Sequence, residues 1–90
     1  MPVIRLPTLM QHYTEKQNDF AVPGRTALEA VRAAADRFPA LRGQLFDHEG
    51  RLRRHISLFV NDLSVSELDG AETEVARADV IRILPAISGG

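Results

Sequence analysis

The sequence predicts an α+β domain in which a mixed sheet carries one main helix on one face. Three observations carry that expectation. Two short strand-like segments open the chain, a single amphipathic helix follows, and further strand-like segments close it. Strands, then one helix, then strands suit a sheet covered on one side. Ninety residues fit one domain. A chain of this size buries roughly 60–65% of its unfolded surface, which leaves little room for a deep cleft. The working surface is therefore expected to be an exposed face or an end.

Val3 to Leu6 alternates and is stopped by Pro7, giving a short first strand with Ile4 and Leu6 inward. Thr8 to Asn18 is mostly polar and reads as a turn or loop. Asp19-Phe20-Ala21-Val22 is a second strand, ended by the turn signal Pro23-Gly24. Thr26 and Glu29 form a T-x-x-E capping box at the head of the helix. Leu28, Val31, Ala35 and Phe38 then make one apolar stripe, and Pro39 biases Phe38 out of helical dihedrals. Leu41, Leu45 and Phe46 suggest a second, short helical turn, with Gly43 opposing a long helix.

Asp47 to Gly50 is a turn. Arg51 to Val60 reads as one long strand or two short pieces, with Ile56, Leu58 and Val60 on one face and Phe59 on the other. Asn61-Asp62 turns the chain, and Ser64-Val65 starts a short returning strand. Asp69-Gly70 is another turn signal, and Thr73 to Ala78 reads as irregular. Val80-Ile81-Arg82-Ile83-Leu84 is the best strand of the chain, ended by Pro85.

Composition excludes several classes. The net charge is −1, from 11 basic and 12 acidic residues, whereas a nucleic-acid binder would show a basic excess. Arg51, Arg53, Arg54 and His55 read as a solvated hairpin edge, where charge discourages edge pairing. There is no cysteine, hence no disulfide, thiolate nucleophile or Cys-bound metal. No stretch approaches the ~20 apolar residues that span a membrane, and the N-terminus lacks a signal-peptide pattern. The expected location is cytoplasmic, with no nucleic-acid or membrane partner.

The sequence closes on Gly89-Gly90. A terminal carboxyl, with an ordinary pKa of ~3.5, is ionised at neutral pH and a poor electrophile. Activation by ATP would turn it into a mixed anhydride open to a nucleophile. Gly89 and Gly90 carry no Cβ and accept unusual dihedrals, so a partner's backbone can close around them. Pro85 to Gly90 bears no side-chain charge and can enter a low-dielectric channel at little desolvation cost. Five extended residues beyond Pro85 reach at most ~17 Å.

Three stretches together resemble the ubiquitin-like sulfur carriers of the ThiS/MoaD type. They are Phe59-Val60-Asn61-Asp62 with Val65; Leu68-Asp69-Gly70 with Thr73; and Asp79 through Pro85-Ala86-Ile87-Ser88-Gly89-Gly90. The ending is most similar to the branch holding the mycobacterial cysteine-synthesis carrier and the small subunit of molybdopterin synthase. Ser88 stands where alanine is common in that motif. The resemblance implies a β-grasp, ubiquitin-like fold over residues 1–86 with a Gly-Gly tail at 87–90. It implies no bound cofactor. An adenylyltransferase of the ubiquitin-activating type, using ATP and Mg, would adenylate Gly90. A sulfur donor would then leave a thiocarboxylate there, and a sulfur-accepting biosynthetic enzyme would take it. A metalloprotease joins these partners where the tail is processed. The catalytic residues belong to the partners, and the chain itself is expected not to be an enzyme.

The same reading places a docking face on the sheet. If the helix covers Ile4, Leu6, Ile56, Leu58, Val60, Ile81 and Ile83, then Arg5, Phe59, Arg82 and Leu84 face away and form a partner site continuous with Pro85 and Ile87. His12, His48 and His55 lack metal-ligand spacing. The serines sit in no nucleophile motif, and Glu67, Asp69, Glu72 and Glu74 read as a solvated acidic loop. The single lysine, Lys16, disfavours self-conjugated chains. Two other functions stay open on the residues: a protein modifier joined to lysines through Gly90, and a β-grasp interaction module with no acyl chemistry.

Overall fold

The computed structural model describes residues 1–85; Ile87, Gly89 and Gly90, named above as site residues, lie outside them. The strands are β1 (Val3–Arg5), β2 (Asp19–Ala21), β3 (Ile56–Val60), β4 (Leu63–Ser64) and β5 (Val80–Pro85). The helices are α1 (Ala27–Arg37) and α2 (Pro39–Leu45). The sheet runs β2-β1-β5-β3-β4. β1 and β5 are parallel, and the other pairings are antiparallel. The mixed sheet with a main helix is thus as expected.

Helix α1 starts where its cap predicts. The Glu29 N–H donates to Thr26 Oγ1 at 3.1 Å. The returning bond goes one residue further back than in the usual box, from the Arg25 N–H to Glu29 Oε1 at 3.1 Å. The buried stripe differs from the predicted one. Ala27, Ala30, Val31, Ala34 and Ala35 face the core, while Leu28 is only partly buried on its flank. Alanines let the helix backbone come close to the sheet, and Ile4, Leu58, Ile81 and Ile83 fill the space opposite. Burying each such isoleucine or leucine contributes roughly 1.5–3 kcal/mol.

Three expectations need correction. Thr8–Thr14 forms a 3₁₀ helix, not a plain loop, because Met10 and Thr14 turn inward. The buried Thr14 hydroxyl lies 2.6 Å from the Gln17 carbonyl and 3.1 Å from that of Gln11. The basic cluster 51–55 is not a sheet edge. It sits in the loop before β3, where Arg53 Nε donates to the Gly43 carbonyl at 3.0 Å, and the sheet edges are β2 and β4. The returning strand is Leu63–Ser64, and Val65 already begins a 3₁₀ turn. The 73–78 segment is irregular as expected, and within it Thr73 is buried. Its carbonyl accepts from the Ala27 N–H at 2.9 Å, tying this segment to the head of α1.

Candidate functional site: the open sheet face and the strand that leads to the tail

Strand alternation divides the central strands cleanly. In β3 and β5, Ile56, Leu58, Val60, Ile81 and Ile83 are buried, whereas Phe59, Arg82 and Leu84 are half-buried. The buried set joins the helices in one core cluster. Phe59, Arg82, Leu84 and, on β1, Arg5 therefore lie on the face turned away from the helices. Register places Asp19, Arg5, Arg82, Phe59 and Ser64 side by side, in one row across all five strands. Leu84 is in the next row, beside Ser57, and Pro85 pairs with Ile56 at the end of β5. The sequence-predicted residues Arg5, Phe59, Arg82 and Leu84 thus share one surface, whereas Pro85, in phase with Ile81 and Ile83 and paired with the buried Ile56, falls on the helix-covered side of the sheet and is not brought together with them.

Two features of this surface depend on strand pairing. Arg5 grips Asp19 with both guanidinium edges, Nε to Oδ1 at 3.0 Å and Nη2 to Oδ2 at 3.1 Å. That hydrogen bond and the Asp19 charge push the Arg5 pKa up from its ordinary value. Both side chains are about half exposed, so water screens most of the energy of the pair. Beyond the row lies a cavity of about 330 Å³ lined by Arg5, Asn61, Asp62, Val80 and Arg82.

Asn61 fixes the edge of that cavity. It takes φ +56° at the β3–β4 turn, a conformation that asparagine tolerates better than most residues. Its side-chain carbonyl accepts from the Val80 N–H at 3.1 Å, and its amide donates to Asp79 Oδ1 at 3.1 Å. The Ala76 N–H and the Asn61 amide together hold the Asp79 carboxyl below the usual carboxylate range. A carboxyl with a depressed folded pKa contributes stability above its unfolded pKa, and that contribution is lost as pH falls through the folded value. Acid unfolding below about pH 4 is therefore expected to be shallower for Asp79→Asn than for the unsubstituted chain. Urea titrations across that range check it, and equal slopes would contradict it.

The end of β5, on the helix-covered side of the sheet, holds residues that sequence reasoning missed. A cavity of about 170 Å³ beside Pro85 is lined by Leu9, Tyr13, His12, His55 and Ile56 among others. Leu9 is 71% exposed there. The available signal was Leu9-Met10 and Tyr13 within the polar stretch 8–18, a half-apolar turn that has no reason to be apolar on a purely solvated loop. Among the described residues, no three His, Cys, Asp or Glu side chains converge as a metal site would require. Among the same residues, no helix is long and apolar enough to cross a membrane.

The sheet order, the helix packed on one face and the open opposite face define a ubiquitin-like β-grasp protein. The sequence matches the ThiS family model over residues 4–90, and the chain belongs to that family. It is 28% identical over 89 residues to the sulfur carrier protein CysO of Mycobacterium tuberculosis, covering 97% of this chain and 96% of that one. A chain of the Amycolatopsis orientalis BexX/CysO complex superposes with a TM-score of 0.85 at 31% identity, over 100% of both chains. The small archaeal modifier protein 1 of Methanosarcina acetivorans gives a TM-score of 0.86 at 24% identity, over 99% of this chain and 95% of that one. At that identity the likeness is one of fold.

Proposed function

We propose that the chain is a sulfur carrier that works through the carboxylate of Gly90. The observation that carries this reading is the extent of the match: the family model runs through Gly89-Gly90, and the CysO relatives align over nearly their whole length. A partner adenylyltransferase, supplied with ATP and Mg, joins a Gly90 carboxylate oxygen to the α-phosphate and releases pyrophosphate. A sulfur nucleophile then attacks the acyl carbon, AMP leaves with the former carboxylate oxygen, and a thiocarboxylate remains. A biosynthetic enzyme takes that sulfur into cysteine, molybdopterin or another thio-metabolite. The carrier is not itself an enzyme. It offers an uncharged tail and a face on which its partners dock.

Intact-mass spectrometry of the protein from its own cells tests the reading. Exchange of one oxygen for sulfur adds about 16 Da at the C-terminal residue. Unmodified mass after incubation with the adenylyltransferase, ATP and sulfide would refute it, and conjugates of high mass would indicate a protein modifier instead.

The face makes its own prediction. Phe59 and Leu84 are half-buried on a surface that the core does not need. Phe59→Ala or Leu84→Arg should weaken binding to the adenylyltransferase by about 1–3 kcal/mol, as truncating an aromatic or apolar anchor does. The melting temperature should stay close to that of the unsubstituted chain. Calorimetric titration beside a thermal melt reads both, and unchanged affinity would remove the face from the mechanism.

A further inference from the structure

The row across the open face sets two guanidinium groups side by side, and only one of them has an anionic partner among the described residues. Arg5 and Arg82 are register neighbours on parallel strands. Like charges so placed repel, yet Asp19 neutralises Arg5 through its two-pronged grip. Arg82 is half-buried and takes part in no ion pair among the described residues. Of its neighbours around the 330 Å³ cavity, Asn61 is already committed to Asp79 and Val80. Asp62 reaches neither guanidinium within ion-pair distance.

Docking changes what Arg82 needs. In the free chain, water solvates its exposed edge. Once a partner covers Phe59 and Leu84, that water leaves, and a guanidinium without an anion would carry an uncompensated desolvation cost. We propose that Arg82 receives an aspartate or glutamate carboxylate from the adenylyltransferase, held in the cavity between Arg5 and Asn61 while Phe59 seats against apolar surface beside it. This rests on the sulfur-carrier reading above and names the chemistry of its docking contact. The planar guanidinium fork suits a bidentate carboxylate. Gly90 is eight residues further along the chain, so Arg82 serves docking rather than the acyl group. A partner with a basic residue at this point is rejected by the same charge, which makes Arg82 a device for choosing among partners.

The test uses the full chain and the purified adenylyltransferase of the same organism. Affinity is measured at low and high salt, and ATP–pyrophosphate exchange is measured at saturating carrier. Arg82→Gln should raise Kd by about tenfold or more and flatten its dependence on salt, with the saturated exchange rate unchanged. Arg82→Lys, which keeps the charge and loses the fork, should fall between the two and covers the case in which Arg82→Gln does not fold. Asp62→Asn should not weaken binding. An affinity for Arg82→Gln within twofold of the unsubstituted chain overturns the proposal, while exchange in the unsubstituted chain leaves the carrier reading standing. A loss from Asp62→Asn equal to that from Arg82→Gln also overturns it, because Arg82 would then act within its own chain. A chain that supports no exchange at all removes the carrier reading, and this proposal with it.

Discussion

Deleting Gly90 is expected to abolish thiocarboxylate formation while changing the unfolding free energy by less than about 0.5 kcal/mol. The two halves of that expectation have separate physical grounds. Every buried hydrophobic residue among the described residues lies between Ile4 and Ile83, and Gly90 has no side chain to add to that core. The chemistry depends on reach and on shape. Shortening the tail withdraws the acyl carbon by about 3.5 Å and puts the carboxylate on Gly89. A misplacement of even 1 Å from the productive geometry can cost about a hundredfold in rate. Intact mass after incubation with the adenylyltransferase, ATP and sulfide reads the first half, and denaturant unfolding reads the second. A shortened chain that still gains sulfur would move the reactive atom away from Gly90.

Gly24→Ala is expected to cost about 3 kcal/mol or more of stability, as steric clashes with rigid backbone do. Gly24 takes φ +151°, and a Cβ there would lie 2.7 Å from the Ala30 nitrogen and 2.9 Å from its Cα. Those atoms belong to the first turns of α1 and cannot swing aside as a flexible side chain would. The turn into the helix would have to open, which would also disturb the Thr26 cap. A domain of this size loses roughly 4–8 °C in melting temperature per kcal/mol, so the shift should be large. Gly50→Ala is the natural comparison. Its φ is +80°, but nothing lies within 4 Å of the added carbon, so only the backbone strain of about 1 kcal/mol should appear. If the two variants melt together, the close approach of Gly24 to α1 has no energetic weight.

What the sequence revealed was mostly periodic or local. The alternation in Ile56–Val60 and Val80–Leu84 placed Phe59, Arg82 and Leu84 on the open face, because one buried face fixes the phase of a strand. The Thr26 and Glu29 spacing located the start of α1. What stayed hidden depended on contacts distant in sequence. The Arg5–Asp19 pair spans 14 residues and becomes visible only once β1 and β2 are aligned. The core stripe of α1 departs from the expected one at Leu28. Hydrophobicity alone favours the larger residue, whereas close packing against the sheet favours Ala27, Ala30 and Ala34. The 3₁₀ helix at Thr8–Thr14 is too short for its apolar residues Leu9, Met10 and Tyr13 to set a period. Leu9 and Tyr13 stood out as apolar residues in a polar stretch, but their meeting at the cavity beside Pro85 depends on the fold.

The place of β5 in the sheet has a consequence for biosynthesis. It lies between β1 and β3, although it is the last of the five strands to leave the ribosome. Until Val80–Pro85 emerges, the growing polypeptide holds two half-sheets with bare inner edges, and long-range pairing must wait. Gly90 is translated only five residues after Pro85. A product that stops before Val80 therefore lacks the middle of the sheet as well as Gly90, so on the proposed function the copies that cannot fold are also copies that cannot be activated.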